Sequence, residues 1–267
     1  MQAAEGGRLN GWSMADPLLE AKDLVKHYGS VEALRGASFT AFAGEVVSLI
    51  GDNGAGKSTL VKCLSGVERA DSGSLAFGGT PVVLDSPIAA RALGIETVFQ
   101  DLAVAPDLDP AANLYLGREL RKPGLLGMLG VLDKKEMRRR AVDSFEDLGV
   151  TLQSIDVPIG SLSGGQRQSV AVARSVVWAS KLVFMDEPTA ALGVVQRERV
   201  LDVIRRVRDQ GMAVVLISHN MPEVLAVSDR VEVLRLGRRV ARFRAADTTV
   251  EELVGAMTGA LSQEDAG

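Results

Sequence analysis

Eight residues constrain what this chain can fold into more than any others. Residues 51–58 read Gly-Asp-Asn-Gly-Ala-Gly-Lys-Ser, the pattern of a phosphate-binding loop between a strand and a helix. The flanks fit, because an apolar run at 46–50 precedes the loop and a helical pattern follows at 58–64. Glycines let the backbone wrap a phosphate, and the N–H groups at the helix start point at it. The predicted phosphate-binding residues are Gly51, Asn53, Gly54, Ala55, Gly56, Lys57, Ser58 and Thr59.

Short apolar runs elsewhere in the chain resemble the strand that precedes this loop. They are rich in Val, Ile and Leu, which is typical of parallel strands buried on both faces, and helical stretches separate them. Val200, Ile204 and Val207 mark one such helix, with Gly211 as its stop. The pattern predicts an α/β fold. The predicted strands are Val46–Ile50, Ile95–Phe99, Leu182–Met185 and Met212–Ile217.

The interval from about 101 to 180 differs, because its pattern is mostly helical. Asp109 followed by Pro110 is a helix start, and Asp133 with Glu136 three residues later is a capping signal. We therefore predict a helical subdomain at about 101–180, inserted into an α/β core made of residues 17–100 and 181–260. Towards the C-terminus, residues 231–243 predict a hairpin with Gly237 near its turn, and 249–257 a closing helix.

Composition narrows the class of protein further. With 46% hydrophobic residues the bulk of the 267-residue chain is expected to be globular, whereas residues 1–16 and 261–267 are predicted to be tails. A net charge of −4 disfavours nucleic acid as a partner. Cys63 is the single cysteine, which fits a reducing compartment and a buried helix position. No uncharged run approaches the roughly 20 apolar residues of a membrane-spanning helix.

The apolar run at 182–185 ends in two carboxylates, Asp186 and Glu187. A buried strand can deliver the Asp186 carboxylate to a Mg²⁺ ion that Ser58 also binds, while Lys57 contacts the β and γ phosphates of a nucleotide. Glu187 can then polarise the attacking water as a general base. Alone, such a pair also fits a strand that simply meets a solvated turn. Combined with the phosphate loop, it predicts nucleoside triphosphate hydrolysis.

A third motif carries a family resemblance. Residues 162–166 read Leu-Ser-Gly-Gly-Gln, in which Ser163 is placed to cap a helix running towards Ala179. With the other two motifs, this chain resembles an ATP-binding-cassette ATPase over about residues 18–260. The resemblance implies a phosphate-loop core with an inserted helical subdomain and an N-terminal antiparallel β subdomain. It also implies that ATP, with Mg²⁺, is clamped between two chains. The signature residues that would meet the ATP of the partner chain are Leu162, Ser163, Gly164, Gly165 and Gln166.

Three further positions match the family residue by residue. Gln100 resembles the glutamine that touches Mg²⁺ or the water and senses the membrane partner. His219 resembles the switch histidine that contacts the γ-phosphate, and Tyr28 resembles the aromatic residue that stacks on adenine. Without the resemblance, a single histidine is more often structural and a single tyrosine more often packs in the core.

A finer resemblance concerns the transported substrate. Segments 96–102, 113–119, 191–196 and 257–260 are similar to bacterial monosaccharide importers, such as those for ribose, xylose or fructose. This implies a homodimer peripheral to the cytoplasmic face of the inner (plasma) membrane, with permease subunits and, indirectly, a sugar-binding protein as partners. Another importer or an exporter is the main alternative. A DNA-repair or ribosome-binding cassette fits less well, because sustained heptads, a second cassette and basic linkers are lacking.

Two further features leave alternatives open. Residues 123–132 are uncharged and mostly Leu and Gly, so we expect a loop packed on the helical subdomain, with contact to a membrane partner as the alternative. Gly193 stands where the family resemblance implies an aspartate that couples two ATP sites. It is either a turn residue or a weak link in that coupling.

Overall fold

The computed structural model describes residues 16–98, 104–152, 154–190 and 192–261. The predicted tail residues 1–15 and 262–267 lie outside the described residues. The α/β prediction is confirmed, and no helix in the described part of the chain is long and apolar enough to cross a membrane. The strands are β1 (Leu19–Tyr28), β2 (Val31–Ala41), β3 (Val46–Ile50), β4 (Ser72–Phe77), β5 (Thr80–Val82), β6 (Ile95–Val98), β7 (Leu182–Asp186), β8 (Ala213–Ile217), β9 (Arg230–Arg235) and β10 (Arg238–Arg244). The helices are α1 (Lys57–Leu64), α2 (Pro87–Ala92), α3 (Pro110–Leu114), α4 (Leu125–Met128), α5 (Lys134–Asp147), α6 (Gly164–Trp178), α7 (Val194–Asp209), α8 (Met221–Val227) and α9 (Val250–Thr258).

A six-stranded sheet forms the centre of the fold, in the order β10-β9-β3-β8-β7-β6. All of its neighbouring strands pair in parallel except β9 and β10, which form the predicted hairpin. Every residue of β3 and β8 is buried, as expected for strands covered on both faces. The carboxyl ends of β3, β7 and β8 therefore meet at one edge, where ligands bind in open α/β sheets.

A second, antiparallel sheet forms near the N-terminus, in the order β2-β1-β4-β5. Alternate residues of β2 are buried, so one face of this sheet packs inward. Phe39 of β2, Cys63 of α1 and Phe184 of β7 belong to one hydrophobic cluster, which joins this sheet to the central one. Cys63 is buried there, and burial raises the pKa of its thiol to about 11, consistent with the packing role predicted for it.

Helices α3 to α6 occupy the chain between β6 and β7. Asp109 caps α3 by accepting the N–H of Ala112 at 2.7 Å, and Asp133 caps α5 through the N–H of Glu136 at 3.1 Å, as the sequence predicts. Helix α6 packs on α3 and α5 and also on β6 and β7. Because α6 belongs to both layers, the boundaries at residues 100 and 181 stay predictions.

A buried ion cluster at the junction of the two sheets was not predicted. Arg230 on β9 is 1% exposed and contacts Glu232, and it donates to Glu45 Oε1 and to the Thr40 carbonyl at 2.6 and 2.7 Å. Arg242 of β10 donates to the same Glu232 carboxylate at 2.9 Å. The charges come from three separate segments, residue 45, β9 and β10, so their pairing leaves no local pattern in the sequence. The cluster ties the β9–β10 hairpin to β2 through Thr40.

Candidate active site

The phosphate loop follows β3 and opens α1, as predicted. Gly51 and Gly56 both have positive φ angles, of 153° and 101°. A Cβ atom would lie 2.2 Å from the Leu234 carbonyl oxygen at Gly51 and 2.7 Å from the Ala33 carbonyl oxygen at Gly56. No side chain caps α1, so its first N–H groups face the loop. The loop therefore has the backbone geometry of an anion-binding nest.

The turn of the β9–β10 hairpin closes one side of this loop. The N–H of Gly237 donates to the Ala55 carbonyl at 2.9 Å, and the Gly237 carbonyl accepts the N–H of Arg35 at 2.9 Å. A cavity of about 440 Å³ lies between the start of β2, this turn and loop residues that include Asn53, Lys57 and Ser58. Loop, hairpin and β2 thus form one open site.

Lys57 points back over its own loop. Its ammonium donates to the carbonyl oxygens of Gly51 and Asp52 at 2.6 and 3.0 Å. Burial lowers the pKa of Lys57, while the charges of Glu187, Asp52 and Asp186 oppose that shift. The carboxylates at the end of β7 are therefore close enough to influence this lysine.

Asp186 and Glu187 stand at the end of β7 with different surroundings. Burial raises the pKa of Asp186, the Glu187 charge raises it further, and Lys57 lowers it. Glu187 has a positive φ of 50°, and its N–H donates to the Ile217 carbonyl at the end of β8 at 2.9 Å. This conformation is uncommon for a residue other than glycine and is often found at functional sites.

His219 meets Glu187 across the sheet edge. Its Nδ1 lies 2.8 Å from Glu187 Oε1, and its side chain is 77% exposed. Asn220 caps α8 immediately afterwards by accepting the N–H of Glu223. The structure therefore brings together two residues that lie 32 positions apart in the sequence.

A hydrogen-bonded network next to Glu187 and His219 was not predicted from the sequence. The buried Glu223 carboxylate accepts from the Thr189 hydroxyl at 2.6 Å, from Asn220 Nδ2 at 2.8 Å and from Arg197 at 3.1 Å. It joins the loop after Glu187 to the segment that carries His219. A glutamate at the first turn of α8 reads as an ordinary helix-start residue, so the sequence contained no specific signal.

The signature residues begin α6, where the sequence places them. Ser163 accepts the N–H of Gln166, and the Gln166 side chain accepts the N–H of Ser163, so the two residues form a capping box. Leu162 is buried, whereas Ser163 and Gly164 are exposed. None of the five signature residues lines the cavity over the phosphate loop of the same chain.

The roles of two of the family-matched residues stay predictions. The Tyr28 hydroxyl donates to Glu68, and burial with that hydrogen bond raises its pKa to about 12. The ring of Tyr28 is partly exposed but does not line the cavity over the phosphate loop, so adenine stacking stays a prediction. Gln100 lies outside the described residues, and its role also stays a prediction.

A phosphate loop after a central parallel strand, with acidic residues ending another parallel strand of the same sheet, defines a phosphate-loop nucleoside triphosphatase. The particular family follows from a match of residues 34–190 to the ABC transporter family. The chain belongs to this family, and it is an ATP-binding ATPase.

Curated relatives resemble the chain over most of its length. It is 49% identical to the fructose import ATP-binding protein FrcA of Rhizobium meliloti, over 92% of this chain and 95% of that protein. It is 44% identical to the xylose/arabinose import ATP-binding protein XylG of Sulfolobus acidocaldarius, over 90% and 94%. A ribose import ATP-binding protein of Burkholderia pseudomallei is 41% identical, and the match covers 47% of that longer protein.

Solved structures support the fold. The ADP conformation of an ATP-binding cassette of an ABC transporter superposes with a TM-score of 0.78 at 26% identity, covering 94% of this chain and 99% of that one. A nucleotide-free cassette gives a TM-score of 0.74, also at 26% identity, with coverage of 91% and 96%.

Proposed function

We propose that this chain is the ATP-hydrolysing subunit of a bacterial-type importer that moves a monosaccharide through a separate permease. The observation that carries the proposal is the 49% identity to a fructose import ATP-binding protein across nearly the full length of both chains. Similar proteins named for xylose and ribose import agree on the substrate class but differ in the sugar. The sugar would bind elsewhere in the assembly, and the substrate we propose is the monosaccharide class.

The residues at the sheet edge suit in-line attack of water on a γ-phosphate. Lys57 and the loop N–H groups would hold the phosphates, and Glu187 would take the proton of the attacking water. His219 is hydrogen-bonded to Glu187 at 2.8 Å and would orient it and contact the γ-phosphate. Gln100 would help to position the water.

The same edge fits a magnesium ion. The exposed Ser58 hydroxyl stands at the start of α1, and the Asp186 carboxylate ends β7 beside Lys57. A hydroxyl and one carboxylate, completed by phosphate oxygens and water, form the oxygen-rich set that Mg²⁺ prefers. When bound, the ion would neutralise charge on the phosphates.

Two chains are needed to complete each site in this proposal. The signature residues do not line the phosphate cavity of their own chain, yet Ser163 and Gly164 are exposed at a helix N-terminus, which favours an anion. In a homodimer, each signature would approach the γ-phosphate held by the partner. ATP would therefore close the pair, and hydrolysis would release it.

The remaining partners follow from the substrate class. Permease subunits would hold the dimer at the cytoplasmic face of the plasma membrane, and a sugar-binding protein would act on the permease from the other side. Nucleic acid is not expected to take part. Another importer or an exporter is the alternative, and a non-transport cassette is less well supported.

Purification from native membranes with the bound permease tests the proposal. The complex should hydrolyse ATP faster when the co-encoded binding protein is loaded with one sugar from a panel containing fructose, xylose and ribose. Glu187→Gln in the same complex is the control for hydrolysis by this chain. Stimulation only by a non-sugar ligand, or co-purification without a permease, would contradict sugar import.

A further inference from the structure

An exposed apolar tip projects between α3 and α5. It consists of Leu125, Leu126, Met128 and Leu129, whose exposed fractions are 72%, 51%, 84% and 72%. The expectation that residues 123–132 pack on the helical subdomain is therefore wrong for these side chains. Four large apolar groups held in water within five residues need a partner.

The backbone of the tip is closely hydrogen-bonded. The N–H of Lys122 donates to the Val131 carbonyl at 2.9 Å, and the N–H of Asp133 donates to the Leu120 carbonyl at 2.7 Å. These two bonds join residues 120–122 to residues 131–133 and form the neck of the tip. Gly127 is buried against this neck, and a Cβ there would lie 1.9 Å from the Lys122 carbonyl oxygen. The single turn α4 is thus braced from below, and its leucines and methionine face outward as a unit.

Cationic side chains surround the base of the tip. Arg121, Lys122, Lys134 and Lys135 are all exposed, and none forms an ion pair with another residue in the described ranges. The arginines one turn further along α5 differ, since Arg139 and Arg140 both pair with Glu136.

The carboxylates beside the tip are already engaged. Glu119 accepts the N–H of Gly117 at 2.9 Å, and Asp133 accepts the N–H of Glu136 at 3.1 Å. Four cations against two carboxylates make the neck locally positive, although the whole chain carries −4. An anionic partner is therefore complementary to the neck, and an apolar phase is complementary to the tip.

We propose that the apolar tip inserts into the headgroup region of an anionic phospholipid bilayer. Interfacial membrane segments combine an apolar face, buried by about 5–10 Å, with Lys and Arg at the level of the phosphates. A tip of four apolar side chains fits that depth and is far too short to span a bilayer. The contact would orient the chain at the membrane, and it does not depend on which substrate is transported.

Vesicle co-sedimentation of the full chain without permease tests this inference. At low salt, binding to phosphatidylcholine vesicles containing phosphatidylglycerol should exceed binding to phosphatidylcholine alone. Leu125→Ser combined with Met128→Ser should reduce partitioning by about tenfold or more, because two apolar groups no longer leave water. Ile88→Ser on α2 is the matched control, since Ile88 is 76% exposed, and it should leave partitioning unchanged.

A charge variant separates the two halves of the inference. Lys122→Gln combined with Lys135→Gln should abolish most of the preference for anionic vesicles, at roughly fivefold for each charge. Basal ATP hydrolysis should be unchanged in every variant, which shows that the fold is intact. Equal partitioning of the wild type and the variant that combines Leu125→Ser with Met128→Ser would overturn the proposal. A change in oligomeric mass, or in stimulation by the permease, without a change in vesicle binding would also overturn it and favour a protein partner.

Discussion

Glu187 and His219 are two functional side chains in direct contact at the carboxyl edge of the central sheet. The carboxylate is 15% exposed, its backbone is anchored to the end of β8, and His219 Nδ1 lies 2.8 Å from Oε1. A carboxylate held in this way can accept a proton without moving its phosphate-binding neighbours. The ends of β7 and β8 therefore fix the position of the side chain that we propose as the general base.

Glu187→Gln should preserve ATP affinity and lower turnover by about 10²–10⁴-fold, because it removes the base and leaves the phosphate loop intact. Lys57→Ala should weaken both ATP binding and hydrolysis, since it removes a phosphate contact. Equilibrium nucleotide binding and phosphate release measure the two effects separately. Normal turnover in Glu187→Gln would remove Glu187 from the role of general base.

The buried Asp186 carboxylate should lower the stability of the folded chain, although it is needed for Mg²⁺-dependent ATP binding. Because burial raises its pKa above 3.8, the folded chain holds this proton more tightly than the unfolded chain, and stability is lost as pH rises through the raised pKa. Asp186→Asn should therefore raise Tm in the absence of nucleotide, by on the order of 2–4 °C at about pH 8. The gain should shrink as pH falls towards that raised pKa, while Mg²⁺-dependent ATP binding weakens across the whole pH range.

Thermal unfolding with Asp52→Asn as the control checks this sign. Asp52 is exposed in the phosphate loop, so the same chemical change there removes no buried charge and should leave Tm unchanged. A Tm gain for Asp186→Asn that is absent at the higher pH, or larger at the lower pH, would contradict the assignment.

At the scale of the element, the start of α6 offers two neighbouring glycines with opposite surroundings. A Cβ at Gly164 would meet nothing within 4 Å, whereas at Gly165 it would lie 2.1 Å from Gln196 Cγ of α7. Within one chain, only Gly165 therefore needs to be glycine for packing. Gly164 would need to be small only if something outside the chain approaches it.

Gly164→Ala should leave the Tm of the isolated chain unchanged or slightly higher, yet reduce ATP hydrolysis by at least about tenfold. The reason is that the new methyl group would stand where the γ-phosphate of the partner chain docks. Gly165→Ala should lower Tm as well, since Gln196 must move. Full hydrolysis by Gly164→Ala would argue against a phosphate at that position.

Gly193 caps α7 without a side-chain hydrogen bond. Its φ and ψ of −70° and 166° are open to any residue, so conformational freedom does not explain the glycine. A Cβ there would lie 2.7 Å from Gln196 Oε1, at the flexible end of that side chain. The weak-link hypothesis must therefore rest on the missing carboxylate.

Gly193→Asp should raise the Hill coefficient for ATP hydrolysis in the permease-bound dimer. The reason is that it supplies, next to Gln196, the carboxylate that the family resemblance implies for coupling the two ATP sites. Gly193→Asn is the matched control, since it supplies a similar cap without charge. Either change should alter stability by only a few tenths of a kcal/mol. Equal Hill coefficients in active wild type and Gly193→Asp would leave Gly193 as a turn residue.

The sequence predicted the elements with local signals more reliably than the contacts between distant segments. Strand β3, the phosphate loop and the Ser163 cap each follow from adjacent residues, and the structure has them as predicted. The Glu223 network and the Arg230 cluster join segments far apart in the chain, so no local pattern reveals them. The exposure of the apolar tip was missed because a run of Leu and Gly suggests burial.

At the scale of the whole molecule, one chain carries two partial ATP sites, one at the phosphate loop and one at the signature residues. The carboxyl edge of the central sheet carries the phosphate loop, Asp186, Glu187 and His219, whereas the signature at the start of α6 does not line that cavity. A head-to-tail pairing of two chains would complete both sites at once. The proposed activity therefore depends on an assembly that forms with ATP and separates after hydrolysis.

The mass of Glu187→Gln in solution tests that dependence most directly, because this variant should bind ATP without consuming it. Light scattering without nucleotide should give the 28.2 kDa of one chain, and saturating ATP with Mg²⁺ should give twice that mass. Adding Gly164→Ala to the same variant should weaken the dimer without weakening ATP binding. The proposed pairing would be contradicted by a mass that stays at one chain with ATP demonstrably bound, together with a single copy of the chain per complex when the permease is present.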